Sequence, residues 1–121
     1  MQQQTYTLHY GPSHGWLEVP AAALMAVQLT PGAFSEYSYI ETKGPGNYTL
    51  YLEEDCDAPV FCMVHELKTG AAAHLTECYV ADESFIRDLP RLPRGRDFDH
   101  YKKAAAGFYE SKRDRQERKT D

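Results

Sequence analysis

The chain has 121 residues, the length of one domain, with 42% hydrophobic and 26% charged residues, which excludes wholesale disorder. No apolar run approaches the ~20 residues of a membrane span. Met1-Gln2-Gln3-Gln4 lacks the basic and apolar regions of a signal peptide, so a cytosolic protein is expected. The net charge of −5 is unevenly divided: residues 1–83 carry two basic and eleven acidic side chains, residues 84–121 eleven basic and seven acidic. An acidic body followed by a basic tail suggests either a charged partner or a solubility device.

Along the chain, Thr5 to Tyr10 alternates, with Tyr6, Leu8 and Tyr10 on one side, which predicts a strand with one buried face. Gly11-Pro12-Ser13-His14-Gly15 has turn chemistry, and Trp16 to Val19 resumes the extended pattern, giving a hairpin. Pro20 stands at the entrance of a short helix over Ala21 to Gln28, which ends before Thr30-Pro31-Gly32. A second strand pair is predicted at Ser35 to Thr42 and Tyr48 to Glu53, joined by the five-residue loop Lys43-Gly44-Pro45-Gly46-Asn47. The tyrosines here (Tyr37, Tyr39, Tyr48, Tyr51) suit cross-strand pairing better than base stacking.

Asp57 is placed to cap a helix over Ala58 to Lys68, whose apolar stripe is Val60, Phe61, Val64 and Leu67, with Gly70 as its stop. His74 to Val80 reads as a further strand without an evident buried face. Asp88 to Arg96, punctuated by Pro90 and Pro93, reads as a loop. The last helix is expected from near Asp97 or Asp99, with Phe98, Tyr101, Ala105, Phe108 and Tyr109 at helical spacing. The expected fold class is α+β: four or five mostly antiparallel strands with three helices. Residues 1–109 would form one domain, and residues 110–121 a charged helical extension that frays.

The chemistry-bearing residues do not form a recognisable catalytic or metal motif. Cys56, Cys62 and Cys78 cannot close a disulfide set and are expected as free thiols acting as small core residues. Cys56, Cys62, His65 and His74 lie close in sequence but lack the paired spacing of a structural zinc site. Each of the five histidines reads most simply as a surface or sheet-edge residue. There is no nucleophile elbow, and Lys43-Gly44-Pro45-Gly46 precedes a strand rather than a helix, so it is not a phosphate loop. No catalytic residue, metal or cofactor is assigned. The acidic run Glu53-Glu54-Asp55 reads first as a helix entrance whose acids complement the helix dipole.

The segments His14-Gly15-Trp16-Leu17-Glu18-Val19, Ser35-Glu36-Tyr37-Ser38-Tyr39 and Tyr51-Leu52-Glu53-Glu54-Asp55-Cys56-Asp57 resemble, in this order, a family of small proteins encoded by bacteriophages, plasmids and other mobile elements. The resemblance covers about residues 6–67 and leaves residues 70–121 outside it. It implies a setting, the bacterial cytosol, rather than an activity. In that setting small acidic proteins block host defence by occupying basic nucleic-acid grooves, as inhibitors of CRISPR and restriction complexes do. The resulting expectation is a protein-binding inhibitor whose partner is a host protein or ribonucleoprotein complex with a basic groove, not a membrane. Its binding face would comprise Glu36, Glu41, Glu53, Glu54 and Asp55, with Tyr37 and Tyr39 as aromatic anchors and Asp57 beside them. The alternative is a nucleic-acid accessory protein using Arg94, Arg96, Lys112, Arg113 and Arg115; a small enzyme comes third.

Overall fold

A computed structural model describes residues 4–119, with the side chains of Arg118 and Lys119 left out of the description. Five strands, β1 (Thr5–Tyr10), β2 (Gly15–Pro20), β3 (Tyr39–Gly44), β4 (Asn47–Glu53) and β5 (His74–Tyr79), form one sheet in the order β3-β4-β2-β1-β5. All neighbours are antiparallel except β1 and β5, which run parallel. Helices α1 (Ala21–Ala26), α2 (Ala58–Thr69), α3 (Ser84–Arg87) and α4 (Phe98–Lys119) complete an α+β fold. The one-turn helix α3 was not foreseen.

The period-two pattern of the strands decides which side chains meet the helices. Leu17 and Val19 of β2, Leu50 and Leu52 of β4 and Tyr6 of β1 form the main core with Leu24, Val60, Phe61, Val64 and Ala105. The opposite face is not wholly solvated. At one end of the sheet Trp16, Tyr39 and Tyr51 pack with Ile86 of α3 and Leu89 in a second cluster. Helix α2 carries the chain from β4 to the far edge, a connection long enough for β5 to pair parallel with β1. All six residues of β5 are exposed, which explains why its sequence indicates no buried face.

Several expectations are corrected. The segment Ser35 to Ser38 is a turn, not strand; β3 begins only at Tyr39, because the two serines bond elsewhere. The predicted five-residue loop closes to Pro45-Gly46, with Gly44 paired to Asn47. Gly46 at φ 70 supplies the positive φ that this two-residue turn requires. In α2 Leu67 is 65% exposed rather than buried, and Met63 fills the core instead. His65 is buried beside Tyr6 and Phe61, with Nδ1 3.0 Å from the Ala71 carbonyl, so it is no surface histidine. Cys78 is exposed rather than in the core, while Cys56 and Cys62 are half-buried; all three are free. Gly70 does end α2, in the left-handed conformation. Helix α4 runs to Lys119, so the extension expected to fray over residues 110–121 is helical as far as it is described; Thr120 and Asp121 lie outside the described residues.

Candidate functional site

The site is organised by Asp57. Its backbone is already helical (φ −107, ψ −38), and no side-chain cap bond forms. The expected N-cap role is therefore corrected: a capping residue needs an extended backbone to bring its oxygen over the free amides. The carboxylate turns instead toward the 35–38 turn and is completely buried. The Ser35 amide donates to both its oxygens at 3.1 and 3.0 Å, and the Ser35 hydroxyl donates to Oδ2 at 2.7 Å. The Ser38 hydroxyl also donates to Oδ2. Ser38 Oγ in turn accepts from the Glu53 amide at 2.9 Å, and Ser35 Oγ accepts from the Tyr37 amide at 3.2 Å. Burial pushes the Asp57 carboxyl above its ordinary pKa, and the serine donors only partly offset this.

This buried network fastens the Ser35–Ser38 turn to the turn after β4 and so brings most of the expected binding residues to one end of the sheet. Glu53 braces the second turn, its Oε2 accepting the amides of Asp55 at 2.9 Å and Cys56 at 2.8 Å. Glu54 and Asp55 are exposed, and neither has an ion-pair partner among the described residues. Tyr37 is 52% exposed beside them. Three residues depart from the expected face. Tyr39 is buried under Arg91 and is not available as an anchor. Glu36 lies 3.8 Å from Arg94, so part of its charge is neutralised. Glu41 sits further along β3, 3.7 Å from Lys43 and outside the group.

Beside these turns lies a cleft of about 400 Å³, lined by His14, Trp16, Tyr37, Tyr39, Glu53, Asp55, Cys56, Arg87, Arg91 and Lys102. Its floor is the second aromatic cluster, with Trp16 and Tyr39 edge to face at 6.3 Å. The Arg87 guanidinium lies 5.0 Å above the Trp16 ring and that of Arg91 5.3 Å above Tyr39. Arg87 also binds Glu83 at 2.8 Å and lies 3.2 Å from His14 Nδ1. Burial, with Glu53 next, raises the Cys56 thiol pKa, while Lys102 pulls it down; the net rise disfavours the thiolate.

Sequence reasoning missed Trp16, Arg87, Arg91 and Lys102 as one wall. Tyr39 pairs with Arg91 in an isolated bridge, and Ile40 donates to the Pro90 carbonyl at 2.9 Å, which lays the loop along β3. Further on the loop closes against the segment before Ser35 at Gly95: a Cβ there would lie 2.1 Å from the Gly32 carbonyl oxygen, and its amide reaches Phe34 O at 2.8 Å. That glycine among prolines and arginines was the one local signal for a close backbone approach.

The alternative basic surface is dispersed. Arg94 is bound to Asp99 at 2.6 Å and Lys112 to Glu66 at 2.6 Å. Arg96, just before α4, and Arg113 are separated by residues 98–112 of that helix, about 22 Å at 1.5 Å per residue. Of the cysteines and histidines that lie close in sequence, His65 is turned into the core and His74 is exposed on β5. No three His, Cys, Asp or Glu side chains gather for a metal ion among the described residues. No helix among the described residues is long and apolar enough to cross a membrane. Comparison with protein-family models, curated proteins and solved structures gives no match.

Proposed function

We propose that this is a binding protein of mobile-element type that inhibits a nucleic-acid-handling defence complex in the bacterial cytosol. It docks the acidic end of its sheet, Tyr37 with Glu54 and Asp55, into a groove that otherwise holds phosphates. The observation that supports this reading is the Asp57 network: it holds two turns together at the end of the sheet where Glu54 and Asp55 are exposed and make no ion pair among the described residues. Turns whose backbone is fixed before association lose less conformational freedom on binding, and the acids they carry steer encounter with an oppositely charged groove. Glu53 belongs to the scaffold of this face, since its carboxylate holds backbone amides.

The test is affinity purification from a bacterial host, followed by competition. The reading expects a nucleic-acid-handling complex to be recovered by the wild-type chain, to be released by added DNA, and to be lost with Glu54→Lys/Asp55→Lys. Recovery that DNA does not compete, or that the double variant retains, contradicts it.

A further inference from the structure

The inner wall of the cleft carries chemistry that an acidic docking face does not use. Arg91 and Lys102 are exposed and have no carboxylate partner among the described residues. With Arg87 they form a cationic side to a cavity of about 400 Å³, within the roughly 300–1,000 Å³ of small-molecule sites. The same cleft is lined by the carboxylates of Glu53 and Asp55 and by the half-exposed ring of Tyr37.

This mixture is selective. A bare anion meets Arg91 and Lys102 but is repelled by Asp55, and a basic peptide meets the reverse. An acidic peptide brings several further carboxylates against Glu53 and Asp55. A ligand that joins a single anion to a flat ring and hydroxyl donors satisfies both kinds of group. We infer that the cleft binds a nucleoside monophosphate. Its phosphate is held by Arg91 and Lys102 through charge-assisted hydrogen bonds, its base lies against Tyr37, and its sugar hydroxyls donate to Asp55. The inference shares Tyr37 and Asp55 with the docking proposal, but its phosphate site, Arg91 and Lys102, is its own.

Titration calorimetry at low salt with the 5′-monophosphates of adenosine, guanosine, cytidine and uridine tests it. Inorganic phosphate, ribose 5-phosphate and the four nucleosides serve as separate arms. At least one monophosphate is expected to bind about tenfold or more tighter than any of these three kinds of fragment. Lys102→Glu, a change at an exposed helix position, and Arg91→Gln should each weaken that binding about tenfold or more. The inference is overturned if no monophosphate binds, or if phosphate or ribose 5-phosphate binds as tightly as the nucleotides. It is also overturned if Lys102→Glu leaves affinity unchanged while circular dichroism shows the variant folded. Each of these results leaves the Glu54/Asp55 competition experiment free to succeed or fail.

Discussion

A fully buried carboxylate must find donors, and Asp57 takes them from the amide of Ser35 and the hydroxyls of Ser35 and Ser38. Asp57→Ala leaves those donors facing a cavity, which should cost about 2–4 kcal/mol in urea unfolding at pH 7. Because burial raises the carboxyl's pKa, the native chain holds this proton more tightly than the unfolded chain. The associated stability is complete below the unfolded value of about 3.9 and is lost as pH rises through the raised native value. The penalty of Asp57→Ala should therefore widen as pH falls from 7 toward 4, and narrowing would contradict burial as the larger influence. The cysteines allow a second check. Burial, with Glu66 beside it, pushes the Cys62 thiol up to about 11, and Cys56 is also raised, while Cys78 lies exposed on β5. Thiol titration at pH 8 should count one fast group in native protein and three in denaturant. Fast reaction of all three in the native state would show that the body opens around Cys56 and Cys62.

At the scale of elements, the sequence was readable where local pattern and packing agree. Alternation placed β1, β2 and β4, and Gly70 marked the end of α2, because both signals act within a few residues. The turn at Ser35–Ser38 was hidden because Tyr37, Tyr39 and Glu41 continue a strand-like alternation through it. The acceptor that breaks the pattern, Asp57, lies about twenty residues on, in a position that also reads as a helix cap. Of the candidate site, the acidic turn and Tyr37 were legible, but the cationic wall was not: no local rule places Arg91 over Tyr39. Helix α4 offers a test at this scale. Past Tyr109 its described contacts with the body include the Lys112–Glu66 pair, whose two side chains are both partly exposed. Ending the chain after Ser111 should lower stability by less than about 1 kcal/mol in thermal or urea unfolding. A larger loss would mean that the tail docks more firmly than this pair indicates.

Over the whole molecule, the division between acidic body and basic tail is partly folded away. Arg94 returns to Glu36 and Lys112 to Glu66, so the tail neutralises part of the body it follows. The charge left uncompensated at the Asp57-fastened end is concentrated on Glu54 and Asp55, which is why the docking proposal centres there rather than on net charge. The decisive measurement is the Kd of the complex recovered from the host for three chains: wild type, Glu54→Lys/Asp55→Lys, and Glu110→Lys/Asp114→Lys. The two variants change net charge equally, but only the first alters the proposed face. Close ion pairs at such interfaces couple by about 1.5 kcal/mol or more each, so the first variant should bind about a hundredfold or more weaker. The second should stay within a few-fold of wild type. Equal weakening by both variants, or none by the first, would contradict an acidic docking end.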